Sequence, residues 1–337
     1  MRQFCKIPFS SSGPDGVNFT FFNQYTSLVQ VRFFSTQRKF SLSTNTYNSV
    51  GIRPARSNDL KTIFHWIERE GWNPGLYDLQ SYRAVDPYGF NVLWLGDEPV
   101  STLLSVRYPY DYAFLGLYIV KFEYRGHGYG KSLWDSTMKQ IGDYKTIGLN
   151  AVLDQIPSYQ KSEFVFSHYN TRWQRGLFNG VLEAENKQKE YEVTRKISLY
   201  EIIELDYAAS ACYRPGFWKS TIASPSSYFL AAKHKGQVIG FGLVLRCANG
   251  YKIGPLYAEA PEIANDLLVA LWDHVKKNGC KPTDTIQIDT SETNGSASHL
   301  ATKYGFTRVY DTARMYRGEK PVMRDDIVYS LPSLEIG

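Results

Sequence analysis

The fold of this chain is indicated most clearly by one stretch of sequence, Tyr118-Ile-Val-Lys-Phe-Glu-Tyr-Arg-Gly-His-Gly-Tyr-Gly-Lys-Ser-Leu-Trp134. An apolar strand leads into Arg125-Gly-His-Gly-Tyr-Gly130, and a helix is predicted to follow at once, from about Lys131 to Ile141. Glycines at alternate positions leave a row of backbone N–H groups without hindrance from a Cβ atom. The unpaired donors and the dipole at a helix N-terminus favour an anion. The turn is therefore predicted to bind a phosphate group, most simply a pyrophosphate.

Three phosphate-binding patterns compete for this turn. A P-loop requires Gly-x-x-x-x-Gly-Lys-Ser/Thr; Gly130-Lys131-Ser132 fits its end, but Arg125 stands where its first glycine belongs. A dinucleotide fingerprint requires G-x-G-x-x-G, whereas Gly126, Gly128 and Gly130 form G-x-G-x-G. The third pattern, Arg/Gln-x-x-Gly-x-Gly/Ala, is matched at every position. A tight strand–helix turn without a ligand is the remaining alternative.

This third pattern resembles the acyl-CoA loop of the GNAT acetyltransferases. The strand before it, Val120-Lys-Phe-Glu-Tyr-Arg125, resembles that family's Val-x-Pro-x-x-Arg, with Phe122 in place of the proline. The resemblance covers about residues 50–180 and implies an α/β fold with an α+β mixed sheet, and acetyl-CoA as cosubstrate. The cofactor-binding residues that it implies are Ile119, Val120, Arg125, Gly126, His127, Gly128, Tyr129, Gly130 and Lys131.

The predicted secondary structure follows the same family. Folded sequence is expected to begin near Ile52 with a strand, followed by an amphipathic helix over 60–67. Apolar runs at 92–95 and 100–106 flank Gly96-Asp-Glu-Pro99 and indicate a hairpin. With the strand that ends near Val120, the helix and a further strand at Thr146–Asn150, the order is β-α-β-β-β-α-β, as in a GNAT domain.

Two residues carry the chemistry that the resemblance implies. Ser158-Tyr-Gln-Lys-Ser-Glu-Phe164 is similar to the family's Tyr-x-Lys-x-Gly-Phe segment, with Glu163 in place of Gly. Tyr159 is thereby implied as the general acid, and a phenol with an ordinary pKa near ~10 can protonate a departing thiolate at neutral pH. Asn150 is implied to lie near the pantetheine arm. The alternatives are a packed aromatic ring and a polar residue that closes a strand.

The acceptor side is less defined. Gly71-Trp-Asn-Pro-Gly-Leu-Tyr77 resembles the acceptor-pocket region of two-domain bacterial GNAT proteins, so Trp72 and Tyr77 are expected to line that pocket; a turn with inward-packed aromatics is the alternative. No Asp or Glu lies on 114–120. The possible bases are Asp111, Glu68 and Glu70. For each of them, a solvated surface carboxylate is the alternative interpretation.

The expected reaction is direct attack of an amine on the acetyl group of acetyl-CoA. Separation of the strands near Val120 is expected to free a backbone N–H that stabilises the oxyanion. The acceptor is expected to be a small molecule or to resemble an amino acid. One alternative is a non-catalytic CoA sensor or scaffold. Another is a P-loop enzyme, whose Walker-B residue Asp289 would lie in the other half of the chain.

The chain contains a second copy of this unit. Residues 161–164 and 172–176 parallel 303–306 and 314–318, and a fixed long shift indicates duplication. The second copy has Lys252–Pro261 in place of the glycine turn, and Ala301 in place of Tyr159. The predicted division is a GNAT domain at 50–180, a linker at 181–195, a degenerate GNAT-like domain at 196–320 and a tail at 321–337.

Composition excludes several other classes. The net charge is +5 without a Lys/Arg run, so we expect no nucleic-acid partner, and no stretch has the ~18 apolar residues of a membrane span. Four distant cysteines indicate neither a disulfide framework nor a zinc site, and we expect no metal. Residues 1–48 are Ser-rich, basic and poor in acids, which predicts a transit peptide or a disordered extension, and thus a mitochondrial-matrix or cytoplasmic protein. Oligomeric state and acyl length stay open.

Overall fold

The computed structural model describes residues 49–178 and 189–337 of the chain. The predicted N-terminal extension (1–48) and most of the predicted linker (181–195) lie outside the described residues. Among the described residues, no helix combines the length and the apolar composition needed to cross a membrane.

The first half contains six strands and four helices. The strands are β1 (Val50–Pro54), β2 (Phe90–Leu95), β3 (Glu98–Tyr108), β4 (Tyr112–Val120), β5 (Thr146–Val152) and β6 (Val165–Gly176). The helices are α1 (Asp59–Arg69) and α2 (Asp78–Val85) before β2, α3 (Tyr129–Ile141) after β4, and α4 (Ile156–Gln160) after β5. Short 3-10 helices lie at Phe122–Tyr124 and Leu153–Gln155.

The second half repeats this order, β-α-α-β-β-β-α-β-α-β. Its strands are β7 (Glu192–Thr194), β8 (Ser227–His234), β9 (Gln237–Arg246), β10 (Tyr251–Ala258), β11 (Thr285–Ser291) and β12 (Thr307–Arg317). Its helices are α5 (Leu199–Ser210), α6 (Pro215–Ala223), α7 (Pro261–Lys277) and α8 (Gly295–Lys303). A 3-10 helix at Asp325–Ile327 and β13 (Val328–Ser330) follow.

The repeat extends to backbone conformation. Glu163 has φ +66°, and Gly305, at the equivalent position of the second half, also has φ +66°. A positive φ favours glycine. Glu163 in the first half therefore has the backbone conformation of the equivalent glycine in the second half. This agreement supports the duplication inferred from the sequence.

All the strands form one mixed sheet, in the order β1-β2-β3-β4-β5-β12-β6-β11-β10-β9-β8-β7, with β13 paired to β10. The last strand of each half therefore lies in the other half: β12 pairs with β5, and β6 pairs with β11. The two exchanged strands also pair with each other at the centre of the sheet. The predicted α/β mixed sheet is confirmed. The boundary between the two halves along the sequence is not a boundary between two sheets.

The two exchanged strands each carry a buried arginine. Arg172 on β6 lies opposite Asp289 on β11 in the strand register, and its guanidinium donates to both carboxylate oxygens at 2.7 Å. Arg314 on β12 lies opposite Asn150 on β5 and donates to the amide oxygen at 2.8 Å. Buried polar groups require such partners, so these contacts define where the exchanged strands sit.

Helices cover both faces of the sheet. Helix α3 buries Leu133, Trp134 and Ile141 against the first half, and α7 buries its apolar side against the second half. A third core cluster combines residues of both halves, for example Leu104 and Phe114 with Phe241 and Leu243. The helical spacing of Leu60, Ile63, Trp66 and Ile67 explains how α1 faces this core.

The C-terminal segment, residues 325–337, runs along the junction between the halves. Strand β13 pairs with β10, and Ser330 donates its hydroxyl to the Ile253 carbonyl at 2.7 Å and accepts the Asp289 N–H at 3.0 Å. Farther on, the Leu334 carbonyl accepts from the Asn150 amide at 2.7 Å. The segment therefore continues from the second half into the first.

Candidate active site

A wedge opens in the first half where two parallel strands separate. The pairing of β4 with β5 runs from Tyr112 and Thr146 to Leu115 and Leu149, and the strands then continue apart. The β3–β4 register shifts between Thr102 and Leu104, and Leu117 has φ +49°, so β4 bulges at this point. A cavity of about 390 Å³ lies in the wedge.

The glycine turn lies at the end of β4, beside this cavity. Gly126 and Gly128 have φ +81° and +83°, and a Cβ atom on either would meet open space. A Cβ on Gly130 would come within 2.7 Å of the Tyr118 hydroxyl oxygen, so this glycine allows α3 to start close against β4. Ser132 N–H closes the first helical turn onto the Gly128 carbonyl.

The backbone donors of this turn are available to a ligand. Within the part of the chain that the structure describes, the N–H groups of residues 126–131 have no protein acceptor. They belong to the loop before α3 and to its first turn, and the dipole of this helix of 13 residues adds positive potential at the same place. The geometry fits a pyrophosphate, as predicted for Arg125–Gly130, because small backbone groups allow phosphate oxygens to approach closely.

The side chains of the turn have partners within the protein. Arg125 donates from Nε to the Val120 carbonyl at 2.9 Å and from Nη2 to Glu70 at 2.5 Å. His127 stacks on the Tyr129 ring, and Lys131 forms an ion pair with Asp135 one turn along α3. The predicted role of Arg125 in holding the pyrophosphate stays a prediction, since its guanidinium faces Glu70 here.

The cavity brings together predicted residues from several elements. It is lined by Ile119, Val120 and Arg125 from the cofactor-binding prediction, by Tyr159 and Asn150 from the catalytic prediction, and by Trp72 from the acceptor prediction. Other lining residues are Glu70, Leu115, Gly116, Leu117, Tyr118, Trp134, Tyr310, Thr312, Leu334 and Glu335. The cavity thus connects the phosphate turn with the acceptor side.

Tyr159 lies on α4 with its ring against Trp134 and Phe164, at centroid distances of 5.6 and 6.2 Å. Burial raises the pKa of the Tyr159 phenol well above its usual value, and the neighbouring Tyr118 adds to this effect. The phenol therefore keeps its proton at neutral pH. Tyr159 is thus a packed aromatic residue that also lines the cavity, and its role as general acid stays a prediction.

Asn150 has a structural set of partners. Its amide donates to the Leu334 carbonyl, and its amide oxygen accepts from Asn170 at 2.9 Å and from Arg314. These bonds join β5 to both exchanged strands and to the C-terminal segment. A contact from Asn150 to the pantetheine arm stays a prediction, because the side-chain bonds seen here serve the junction.

The two predicted acceptor residues are separated. Trp72 lines the cavity, whereas Tyr77 lies outside its lining and faces a small depression with Ser81 and Thr221. The loop between them turns away because Asn73 is bonded to Asn249 and Gln287 of the second half. Tyr77 therefore does not line the same cavity as Trp72, and the role of either residue in an acceptor pocket stays a prediction.

The possible bases are also separated. Glu70 lines the cavity and faces Arg125, whereas Glu68 pairs with His65 on the surface of α1. Asp111, at the β3–β4 turn, lies 3.8 Å from Lys145. Neither Glu68 nor Asp111 lines the cavity.

Sequence reasoning missed a carboxylate in the C-terminal segment. Glu335 lines the cavity at the base of the wedge, and one of its side-chain oxygens accepts from the Leu117 N–H at 3.4 Å. Burial raises the pKa of the Glu335 carboxyl, while the charges of Arg172 and Lys252 act in the opposite direction. The available signal was a single acidic residue in the largely apolar run Leu331-Pro-Ser-Leu-Glu-Ile336.

Over the described residues of the second half, 189–337, the equivalent strands leave no comparable wedge. Strands β10 and β11 pair from Tyr251 and Ile286 to Ile253 and Ile288, and β13 lies against β10 beyond that point. The connection from β10 to α7 consists of Glu259 and Ala260 alone, and Glu259 is paired with Arg324. Asp289, the Walker-B residue of the P-loop alternative, has both carboxylate oxygens bound to Arg172.

Two segments of the sequence match known families. Residues 57–162 match the "Acetyltransferase (GNAT) family", and residues 202–330 match an "Acetyltransferase (GNAT) domain". The matches do not overlap, they fall one in each half, and together they span more than half of the chain. The duplication is therefore a duplication of one family's domain.

Similar proteins match the chain over most of its length. Holothin acyltransferase of Pseudoalteromonas sp. (strain SANK 73390) is 27% identical over 285 residues, which cover 85% of this chain and 94% of that protein. The structure of a proposed acetyltransferase from Pyrococcus horikoshii has a TM-score of 0.68 at 23% identity, over 89% of this chain and 100% of that one. A tandem GNAT protein from the clavulanic acid biosynthesis pathway has a TM-score of 0.57 at 15% identity, over 81% and 100%.

Proposed function

The chain is a two-domain member of the GNAT superfamily of acyltransferases, and from that premise we propose that its first half transfers an acetyl group from acetyl-CoA to the amine of a small molecule. The observation that carries the proposal is the wedge between β4 and β5, which opens directly beside a turn of unpaired N–H groups. The turn of N–H groups is suited to the pyrophosphate, and the wedge is suited to the thioester end of the cosubstrate.

The dimensions of the site support this arrangement. A cavity of about 390 Å³ is large enough for an acyl-thioester end and a small acceptor together. Its walls at Leu115, Ile119 and Trp134 are apolar, which suits an acyl chain. The second half supplies the exchanged strand β12 and the C-terminal segment, so the proposed acceptor side is built by both halves.

The proposed reaction is direct transfer. The neutral amine nitrogen attacks the acyl carbonyl carbon, the C–N bond forms and the C–S bond breaks. The attacking nitrogen loses a proton to a base, and the CoA thiolate gains a proton from the Tyr159 phenol, which solvent then restores. Holding the two substrates in one cavity supplies much of the rate through proximity.

The acceptor class is supported by similarity. Holothin acyltransferase is named for acyl transfer to holothin, and its match covers 85% of this chain. We therefore propose a small-molecule amine as the acceptor in this protein as well.

The test is a calorimetric titration of acetyl-CoA into the wild type and Gly128→Glu. The variant places a side chain and a negative charge among the N–H groups of the turn, so we expect micromolar binding to the wild type and loss of at least about 100-fold in affinity, or roughly 3 kcal/mol. Gly236→Glu is the matched control, because Gly236 has φ +84° and open space around it, but lies in a hairpin of the second half.

Equal affinity in Gly128→Glu and Gly236→Glu would remove the phosphate turn from the proposal. Absence of binding to the folded wild type would contradict the acetyl-CoA proposal and leave a non-catalytic pair of domains. With binding established, release of free CoA in the presence of a panel of amines tests the transfer itself.

A further inference from the structure

The Glu335 carboxyl is held at a defined place in the wedge. The backbone of Glu335 packs directly on β4, since a Cβ on Gly116 would come within 2.2 Å of the Glu335 carbonyl oxygen. Its own N–H donates to the Ser333 hydroxyl at 2.9 Å, and its side chain accepts from the Leu117 N–H in the β4 bulge. Backbone packing and two hydrogen bonds therefore direct this carboxyl to the point where β4 and β5 part.

This carboxylate lacks a cationic partner. Across residues 49–178 and 189–337, no Lys or Arg nitrogen lies within ion-pair distance of Glu335. The nearby Arg172 is committed to Asp289 and to the Trp72 carbonyl, and Lys252 lies 3.8 Å from Asp78. A carboxylate that is largely withdrawn from water and unpaired is unfavourable, so a cation supplied by a ligand would stabilise it.

Aromatic rings border the same space. Trp72 and Tyr310 line the cavity, and the Tyr310 ring lies against the Arg172 guanidinium at 5.2 Å. Aromatic faces attract an ammonium group and also pack on an apolar body. The acceptor side thus combines an unpaired carboxylate with flat apolar walls.

We propose, resting on the acyl-transfer function above, that Glu335 binds the ammonium group of the acceptor and then takes its proton as general base. One N–H bond of the ammonium breaks, its proton passes to a Glu335 oxygen, and the freed nitrogen lone pair forms the C–N bond to the acyl carbon. As the C–S bond breaks, the thiolate takes the Tyr159 proton, and the second proton of the nitrogen leaves to solvent. The proton later leaves Glu335 to solvent as the product departs.

The same geometry assigns a class of acceptor. A carboxylate next to the amine would lie against the Glu335 carboxylate, while the other acidic lining residue, Glu70, is paired with Arg125. The two buried cations near Glu335 already have partners, since Arg172 pairs with Asp289 and Lys252 lies close to Asp78. The site is therefore expected to select amines on an uncharged aromatic or aliphatic body over α-amino acids, the other acceptor class that the sequence allowed.

The pH dependence follows from the groups around this carboxyl. Burial raises the pKa of Glu335, so its base form is lost at a higher pH than for a free carboxyl as the solution is acidified. The charged and titratable groups that face Glu335 are Arg172 on β6, Lys252 on β10, Asp289 on β11, Tyr310 on β12, and Asp78 and Tyr82 on α2. We expect kcat/KM to fall through this raised pKa on the acid side.

The experiment compares Glu335→Gln with the wild type and with Glu204→Gln. Gln has the same shape and its amide oxygen can still accept from Leu117, whereas Glu204 is an exposed carboxylate on α5. The acceptor probes are phenethylamine and phenylalanine, which differ only by the carboxylate. Acetyl-CoA affinity and thermal unfolding of each variant show whether the fold and the cosubstrate site are intact.

We expect the wild type to use phenethylamine at least about tenfold better than phenylalanine. Glu335→Gln should lose at least about 100-fold in kcat/KM with unchanged acetyl-CoA affinity. Its residual rate should rise about tenfold per pH unit, following the neutral amine. Glu204→Gln should match the wild type.

A Glu335→Gln variant with wild-type kcat/KM would overturn this inference while acyl transfer stands, and equal use of phenylalanine would overturn the acceptor class. If the wild type turns over neither probe, calorimetry of phenethylamine with the CoA-bound protein still decides the matter. If phenethylamine binds the wild type and Glu335→Gln abolishes this binding, Glu335 is supported as the recognition site for the ammonium group even without transfer. If phenethylamine does not bind the wild type, or binds both proteins equally, the inference is overturned.

Discussion

Tyr159 keeps its proton across the neutral range because burial raises the pKa of its phenol, and the residue lines the cavity. Tyr159→Phe preserves the ring contacts with Trp134 and Phe164 and removes only the acidic proton. We expect kcat to fall by about 100-fold with acetyl-CoA affinity within about threefold of the wild type. Steady-state release of CoA and calorimetry measure the two quantities.

Tyr169→Phe is the control for this substitution, since Tyr169 is an exposed tyrosine on β6 that packs against Phe166 and does not line the cavity. An undiminished kcat in Tyr159→Phe would mean that the thiolate leaves without help from this phenol. Tyr159 would then be a packing residue, as the alternative interpretation of the sequence held.

At the residue scale, local chemistry was predictable and long-range placement was not. Arg125–Gly130 is a contiguous motif, and the φ values of Gly126 and Gly128 agree with the reason for its glycines. Glu335 lies 218 residues from Leu117, and nothing in its local sequence says which strand it meets. Asn150 and Tyr77 were placed by resemblance alone, and their contacts depend on strands and loops from the other half.

At the element scale, β13 is the feature that distinguishes the second half from the first. Strand β13 pairs with β10 beyond the point where the pairing of β10 with β11 ends. The equivalent position in the first half, where β4 separates from β5, is occupied by the cavity. Ser330 joins both strands through its hydroxyl group. An acyl-CoA wedge in the second half would have to displace this strand.

Ser330→Ala tests the role of β13 in stability. The substitution leaves the buried Ile253 carbonyl and Asp289 N–H without the hydroxyl partner, so we expect the free energy of unfolding to fall by about 1–3 kcal/mol. Urea denaturation followed by circular dichroism measures this change.

Ser101→Ala is the matched control for Ser330→Ala. Ser101 is equally buried in a strand of the same sheet, and within the described ranges its hydroxyl oxygen has no hydrogen-bond partner. We expect the free energy of unfolding of the Ser101→Ala variant to stay close to the wild-type value, because the substitution removes a hydroxyl group that makes no hydrogen bond. Equal effects of the two substitutions would show that the Ser330 hydrogen bonds do not stabilise the fold.

The elements themselves were largely predictable, because helix α1 and the hairpin β2–β3 follow from the pattern of apolar residues. The exchange of β6 and β12 was not. Alternation along a strand specifies which face is buried, but not which neighbour the strand takes. The neighbours are decided by cross-strand partners such as Arg172 with Asp289, which are distant in sequence.

At the scale of the whole molecule, the exchanged strands make each half depend on the other. Without β12, strand β5 would have an unpaired edge and Asn150 would lose Arg314 and the Leu334 carbonyl. The shared core cluster would also be cut, exposing Phe114 and Leu104. An exposed apolar edge strand promotes aggregation, so neither half has the properties of an independent domain.

We therefore expect residues 49–178, expressed alone, to aggregate or to lack a cooperative unfolding transition. Coexpression with residues 189–337 should restore a soluble complex, because the exchanged strands pair across the break. Size-exclusion chromatography, thermal unfolding and acetyl-CoA titration of the isolated half, the coexpressed pair and the intact chain provide the comparison. An isolated first half that unfolds cooperatively and binds acetyl-CoA as tightly as the intact chain would contradict this dependence. The contribution of the second half would then be limited to the acceptor side, through Glu335 and Tyr310.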